Sequence, residues 1–192
     1  MPELSRRVQT FTDSVIRRMT RINNMTPGSI NLSQGFPDFD PPQEILDALK
    51  EAAEHGPHQY SITFGAKNFR DALAEMYTKK FAREIDPEKE IVVTCGGTEA
   101  MMAAMMTVCN PGDKVAVFSP FYENYGADAI LSGADPVYVP LVPPDFHYDS
   151  EALERAFQAG AKALILCNPS NPCGKVFTME EMEEIAELAK RY

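Results

Sequence analysis

The sequence is poor in positive charge and contains no long apolar run. Its 18 Lys and Arg residues are outnumbered by 28 Asp and Glu residues, and the resulting net charge of −10 repels nucleic-acid backbones and anionic lipid surfaces. No apolar stretch is long enough to span a bilayer, and the first residues lack the apolar core of a signal peptide. These absences argue against nucleic acid and membranes as partners and predict a cytoplasmic protein.

Histidine and cysteine are also scarce. The three histidines lie in predicted turns, and the four cysteines follow neither a metal-ligand spacing nor a disulfide pattern. We therefore expect no metal site. We also expect the cysteines to be reduced residues in or near the core; they are Cys95, Cys109, Cys167 and Cys173.

The first 90 residues predict three helices. With 192 residues and 44% hydrophobic content, the chain can form one domain or one and a half. An Arg-rich amphipathic pattern over about 5–22 predicts a helix resembling an arm, and further helices are predicted at about 42–54 and 66–84. The third helix carries an apolar stripe that predicts packing in the core: Phe69, Leu73, Met76, Tyr77 and Phe81.

From residue 90 onward, strand and helix patterns alternate. The predicted strands cover residues 91–95, 115–118, 137–139 and 163–167, and the predicted helices cover about 98–108, 122–132, 149–158 and 178–191. Such alternation predicts an α/β fold with a parallel sheet covered by helices. Ligands of such sheets bind at the carboxyl ends of the strands.

The first strand end carries Gly96, Gly97 and Thr98. Two glycines allow a ligand to approach the backbone closely, and the amides and dipole at the following helix start favour an anion such as phosphate. The alternative is an ordinary helix start, in which Thr98 is the N-cap and the glycines only turn the chain. The segment is not a P-loop, because no Gly-Lys-Ser/Thr follows at the required spacing.

Two further strand ends carry aromatic and amide side chains. Tyr122 and Tyr125 could offer a flat face or a hydrogen bond to a planar ring, or they could simply cover the rim of the core. The run Asn168–Lys175 contains Asn171, whose amide could donate to a phenolate-like or carboxylate oxygen. Alternatively, this run is a turn built from Asn and Pro.

Taken together, six segments resemble the class I/II aminotransferases of fold type I, which use pyridoxal 5′-phosphate. The segments are Asn31–Phe39, Gln59–Gly65, Val93–Ala100, Pro111–Asp113, Ser119–Tyr122 and Asn168–Gly174. The resemblance implies an incomplete large domain of the family over residues 43–192, with a mostly parallel sheet sandwiched by helices. It implies an N-terminal arm and small-domain segment over residues 1–42. The first two segments are most similar to kynurenine, glutamine, methionine or aromatic aminotransferases.

The resemblance also implies roles for individual residues. Gly97 and Thr98 match the positions that hold the cofactor phosphate, and Tyr122 matches the aromatic residue that stacks on the pyridine ring. Asn171 matches the amide that hydrogen-bonds the phenolic oxygen of the ring and often touches the substrate carboxylate. Two further positions match as well: Gly35, as a backbone contact beside the substrate, and Tyr60, which in a homodimer reaches the cofactor phosphate of the neighbouring subunit.

The implied activity is transfer of an amino group from an L-amino acid to a 2-oxo acid. In the family, an Asp-x-x-Tyr strand, the Ser-x-x-Lys loop with the Schiff-base lysine, and a carboxylate-binding arginine follow the Asn-Pro segment, and none of them occurs in this sequence. Lys162 and Lys175 lack the context of that lysine. We therefore expect an N-terminal portion with no catalytic residue of its own, inactive alone and with an open sheet edge at residues 91–95.

Two other kinds of function fit the sequence. The chain could be a non-catalytic protein, or a subunit of a split enzyme that pairs with a C-terminal half. It could also be a nucleotide-binding α/β module in which the Gly-Gly-Thr turn binds the phosphate, although that hypothesis leaves the other segments unexplained.

Overall fold

The computed structural model describes residues 3–10 and 13–192. The chain forms two compact units, one of Asp13–Thr94 and one that combines Met1–Thr12 with Cys95–Tyr192. The predicted domain boundary between residues 42 and 43 stays a prediction. None of the helices in the described residues is long and apolar enough to cross a membrane.

The unit Asp13–Thr94 is helical. Its helices are α1 (Val15–Asn24), α2 (Gln43–His55) and α3 (Lys67–Phe81). The predicted second and third helices are therefore confirmed, whereas the predicted helix over about 5–22 is wrong in its bounds. A 3-10 turn at Arg6–Gln9 belongs to the other unit, α1 begins only at Val15, and residues 11 and 12 lie outside the described residues.

Two predictions for this unit are wrong. Residues 91–94 form no strand; the Val93 N–H donates to the Phe64 carbonyl at 3.0 Å, and none of the described strands pairs with this segment. An apolar extended segment becomes a strand only when a neighbour completes its hydrogen bonds. The α3 stripe is not core either, because Phe69, Met76 and Phe81 are about half exposed while the helix buries Arg70 and Ala74.

The other unit contains a four-stranded sheet in the order β3-β2-β1-β4. Its elements are α4 (Gly96–Val108), β1 (Lys114–Ser119), α5 (Asn124–Ser132), β2 (Asp135–Val142), β3 (His147–Tyr148), α6 (Ser150–Gln158), β4 (Ala161–Ile165) and α7 (Met179–Arg191). Strand β1 pairs in parallel with both β2 and β4, and only the two-residue β3, which the sequence did not predict, is antiparallel. The predicted α/β fold with a mostly parallel sheet is confirmed.

Helices cover both faces of this sheet. Alternation along β1 sends Ala116 and Phe118 to a core with α6 and α7, and sends Val115 and Val117 to a core with α4 and α5. All four cysteines are free thiols, as predicted, but Cys95 is exposed rather than near the core. No group of three or more His, Cys, Asp or Glu side chains in the described part of the chain could hold a metal ion.

Candidate functional site

The candidate site lies at the carboxyl ends of β1 and β4. These strands run in parallel with Val117 opposite Ile165, so the segments that follow them emerge at the same edge of the sheet. Pro120–Tyr125 follows β1, and Asn168–Lys175 follows β4. Those are two of the three segments that the sequence singled out.

The third segment forms the start of α4. This helix begins at Gly96, and its N-cap is Cys95, whose N–H donates to the Glu99 carboxylate. The interpretation of Thr98 as N-cap is therefore wrong, because the helix starts two residues earlier than predicted. Gly96 has a φ of +80°, which favours glycine, and a Cβ added at Gly97 would meet no heavy atom within 4 Å. The first turn of α4 is thus open to a ligand, at the end of a helix that attracts anions.

A hydrogen bond joins the start of α4 to the start of α5. The Asn124 side-chain amide donates to Thr98 Oγ1 at 2.8 Å. Because a hydroxyl can accept and donate at once, this contact orients Thr98 while leaving its proton for an anion. Asn124 was not among the residues predicted for the site; its position as a polar residue near the start of a predicted helix was the available signal.

The aromatic residues after β1 divide into two pairs. Phe121 stacks on Tyr138 of β2, with ring centroids 5.1 Å apart and planes at 6°. Tyr122 meets Tyr125 edge to face, with centroids 5.7 Å apart and planes at 77°. The Phe121 pair supports the rim of the core, which was the alternative considered for Tyr122 and Tyr125. Tyr122 is half-buried beside it.

Tyr125 connects the two strand ends. It lines a small cavity together with Cys167, Ser170, Asn171 and Phe177. A hydrogen bond with Cys167, together with burial, raises the pKa of Tyr125 to about 12. The phenol is therefore neutral at physiological pH and can act as a hydrogen-bond donor.

Hydrogen bonds within the loop Asn168–Lys175 and to Phe177 stabilise its conformation. Asn168 Oδ1 accepts the Phe177 N–H at 3.2 Å, and the Ser170 N–H donates to the Lys175 carbonyl at 2.8 Å. Gly174, at a φ of +70°, donates its N–H back to the Ser170 carbonyl at 2.8 Å. Asn171 lies on this turn with its side chain exposed. The turn interpretation is thus correct for Asn168 and Ser170, and the geometry leaves Asn171 for another role.

The lysines near these segments have structural partners. Lys175 is nearly buried, with Nζ 2.8 Å from Glu181 and 5.1 Å from the centroid of the Phe177 ring. Lys162 pairs with Asp113 at 3.0 Å, at the amino ends of the strands and therefore at the opposite edge of the sheet. Both amines are engaged in these ion pairs, so neither is placed to act as a nucleophile at the candidate site.

Gly35 and Tyr60 belong to the unit Asp13–Thr94. A Cβ added at Gly35 would meet no atom within 4 Å, and the Tyr60 side chain is fully exposed. Their assigned contacts stay predictions.

Comparison with known sequences gives a consistent family. The family model described as aminotransferase class I and II matches residues 27–192. A probable N-succinyldiaminopimelate aminotransferase of Mycobacterium tuberculosis is 38% identical over 185 residues, which cover 95% of this chain and 46% of that protein. Kynurenine–oxoglutarate transaminase 3 of Rattus norvegicus is 34% identical over 199 residues, which cover 98% of this chain and 44% of that protein.

Solved structures agree. The N-succinyldiaminopimelate aminotransferase of Mycobacterium tuberculosis superposes with a TM-score of 0.88 at 36% identity, covering 97% of this chain and 49% of that one. YbdL from Escherichia coli, reported to have a methionine aminotransferase function, superposes with a TM-score of 0.90 at 28% identity, covering all of this chain and 50% of that one. The chain spans about half the length of the relatives it matches.

Proposed function

This chain belongs to the class I and II aminotransferases, and on that premise we propose that the full-length protein transfers an amino group from an L-amino acid to a 2-oxo acid. By full-length protein we mean the complete product of the reading frame that encodes these residues. Enzymes of this family depend on pyridoxal 5′-phosphate.

The proposal is carried by the contacts that connect the start of α4 with the segments that follow β1 and β4. Thr98 is tied to Asn124, Tyr122 contacts Tyr125, and Tyr125 lines the same cavity as Asn171. These contacts within the unit support a site in which the start of α4 holds a phosphate, Tyr122 offers a flat ring and Asn171 offers an amide donor. Those are the three kinds of group that a phosphorylated pyridine with a phenolic oxygen requires.

The donor set fits the cofactor. When bound, pyridoxal 5′-phosphate supplies an aldehyde that carries the amino group and a ring that withdraws electrons. In our proposal, the Gly97 amide and Thr98 hold the phosphate, and Tyr122 packs on the ring face. Asn171 donates to the phenolic oxygen and contacts the substrate carboxylate. The open space at Gly97 supports the first of these roles, because a side chain there would fill the approach to the helix.

We propose that catalysis needs residues outside this chain, so that the chain alone neither captures the aldehyde covalently nor transaminates. Residues 95–192, all of which the structure describes, include four lysines: Lys114, Lys162, Lys175 and Lys190. Each has a polar partner: Lys114 donates to the Ala159 carbonyl, and the other three form ion pairs with Asp113, Glu181 and Glu187. Such partners support the proposal that the reactive amine comes from elsewhere, whether from the same polypeptide or from a separate C-terminal half.

Further details of the proposal concern the assembly and its setting. We propose a cytoplasmic homodimer acting in amino-acid metabolism, in a biosynthetic process. Gly35 contacts the substrate through its backbone, and Tyr60 reaches the cofactor phosphate of the neighbouring subunit. Tyr60 is suited to contact another chain because its side chain is fully exposed. Replacing Tyr60 by Phe would then weaken cofactor binding only in the dimer.

The test is an amino-donor panel on the full-length protein with 2-oxoglutarate as acceptor. Kynurenine, methionine, aromatic amino acids and N-succinyl-diaminopimelate are the donors that the names of the relatives suggest. We expect transamination of at least one donor, dependent on added cofactor. A protein that binds no cofactor and transaminates none of them would overturn the proposal, and displacement of the cofactor by ATP or NAD would favour a nucleotide-binding module instead.

A second experiment separates the roles at the site. Replacing Asn171 by Ala removes the amide, and we expect weaker cofactor binding with an unchanged unfolding temperature, because Asn171 lies outside the hydrogen bonds that shape its loop. Replacing Asn168 by Ala is the matched control. It removes the acceptor of the Phe177 N–H and should lower stability as well as binding.

A further inference from the structure

Tyr125 lies where two strand ends meet, yet the roles described so far do not use it. It belongs to the first turn of α5, and its ring meets Tyr122 edge to face at 5.7 Å. It also lines one small cavity with Cys167, two residues beyond the end of β4, and with Asn171. It therefore contacts both the residue assigned to the ring face of the cofactor and the segment that leads to Asn171.

The edge-to-face contact constrains the Tyr122 ring. Stacking on a planar ligand requires one orientation of that ring, and a half-buried tyrosine without an aromatic neighbour can turn about its side-chain bonds. The planes of the Tyr122 and Tyr125 rings meet at 77°, so the edge of one ring lies against the face of the other. The attraction between edge and face holds the Tyr122 ring in this orientation. Removal of Tyr125 would thus weaken stacking without touching the ligand.

Tyr125 also lies beside the segment that follows β4. Cys167 lines the same cavity as Tyr125 and donates through Sγ to the Pro169 carbonyl at 3.3 Å, so the start of the loop that carries Asn171 lies beside Tyr125. Burial contributes to keeping the phenol neutral, which preserves the donor. The contact fixes the position from which the loop departs.

We propose that Tyr125 is a positioning residue of the cofactor site: its ring fixes the plane of the Tyr122 ring, and its hydroxyl supports the loop Asn168–Lys175 from the cavity that it shares with Cys167 and Asn171. This inference rests on the proposed function and adds to it a residue that does not itself touch the cofactor.

A double-mutant cycle tests the ring. The probe is pyridoxamine 5′-phosphate, the amine form of the cofactor, which makes no covalent bond to a lysine, and its Kd for the full-length protein is measured by calorimetry. We expect Tyr125→Leu to raise Kd about fivefold in the native background and less than about twofold in the Tyr122→Leu background, because the effect passes through Tyr122. Equal effects in both backgrounds would refute the role of the ring.

A second cycle tests the hydroxyl. Tyr125→Phe keeps the ring, and we expect it to raise Kd about threefold, with the effect lost in the Asn171→Ala background. The matched control is Tyr148→Phe, which removes another buried hydroxyl, bonded to Glu184 at 2.8 Å, from the opposite face of the sheet. This control should lower stability and leave Kd unchanged; a control that raises Kd as much as Tyr125→Phe would overturn the proposal.

The outcomes separate this inference from the proposed function. If the native protein fails to bind the probe, the proposed function fails. If it binds, and Tyr122→Leu weakens binding, but neither cycle shows coupling, only the role of Tyr125 fails. If thermal denaturation shows that Tyr125→Leu is unfolded, Tyr125→Met replaces it in the first cycle. An unfolded Tyr125→Phe would itself contradict the proposal, since it would assign the hydroxyl to folding.

Discussion

The two compact units bury their residues very differently. In the sheet unit, both faces of β1 lie in apolar cores, and Val115, Val139 and Leu153 are essentially inaccessible to solvent. In Asp13–Thr94, which is described throughout, only Arg70, Ala74 and Ile85 are buried. One unit is stabilised by a packed sheet, whereas the other relies on helix hydrogen bonds and on one buried arginine. The elements of the candidate site that the structure brings together all lie in the packed unit.

The largest expected effect comes from truncating that packed core. Leu153→Ala should lower the free energy of unfolding by about 2–5 kcal/mol, because Leu153 is fully buried and its neighbours can only partly close the cavity. Leu49→Ala on α2 is the matched control, and since that side chain is largely exposed it should cost less than about 1 kcal/mol. Chemical denaturation measures both. Similar losses would show that the two units are packed alike.

The next effect concerns the buried arginine. Arg70 donates to the carbonyls of Gly65 at 3.1 Å and Pro87 at 2.5 Å and pairs with Glu88 at 3.2 Å. Arg70→Met keeps the apolar stem but removes the donor from the carbonyls of the half-buried Gly65 and Pro87, at a cost of about 2–3 kcal/mol. Faster amide hydrogen exchange around residues 65–90 in Arg70→Met would report this loss of stability.

The control for this arginine lies in the sheet unit. Arg155 is exposed and pairs with Asp149 and Glu151. Arg155→Met should therefore change stability by no more than about 1 kcal/mol. If Arg70→Met left exchange unchanged, the helical unit would not depend on this residue.

A smaller effect compares two helix caps. Thr178 forms a capping box with Glu181 at the start of α7, which packs on the core through Ile185 and Leu188. Thr178→Ala should cost about 1 kcal/mol of global stability. Ser14 caps α1, which buries no residue, so Ser14→Ala should only increase local exchange. Equal global losses would show that α1 is as firmly packed as α7.

The smallest effect is a change in pH dependence. Burial raises the pKa of Asp128 above the usual 3.8, and its Oδ2 has no hydrogen-bond partner among the described residues. The folded state therefore binds this proton more tightly than the unfolded chain, so the contribution to stability is greatest below pH 3.8 and declines as pH rises through the folded pKa. Asp128→Asn should remove that decline in unfolding curves recorded across acidic pH. An unchanged pH profile would contradict the prediction.

Local patterns predicted most elements of the sheet unit. Helices α6 and α7 begin within one residue of the predicted positions, because their apolar spacing and their caps, Asp149 and Thr178, are visible in the sequence. Strand β1 was predicted from its short apolar run. The alternation of strands and helices alone predicted a candidate site at the carboxyl ends of the strands.

Contacts between distant segments were not predictable in the same way. The bond between Thr98 and Asn124 joins residues 26 positions apart, and the contact between Tyr125 and Cys167 spans two strands. Residues 91–94 have a strand sequence, but only a pairing neighbour can make them one. In each case the missing information was which segment lies next to which.

In the loop after β4, two asparagines have different structural roles. Asn168 shapes the turn by accepting the Phe177 N–H, whereas Asn171, three residues later, is exposed outside that framework. An engineer could therefore randomise position 171 while retaining Asn168, Ser170 and Gly174, and under the proposed function would recover variants that differ in cofactor binding rather than in folding yield. The hydrogen bonds of Asn168, Ser170 and Gly174 fix the backbone of the loop, and the side chain at position 171 can be exchanged without breaking any of them.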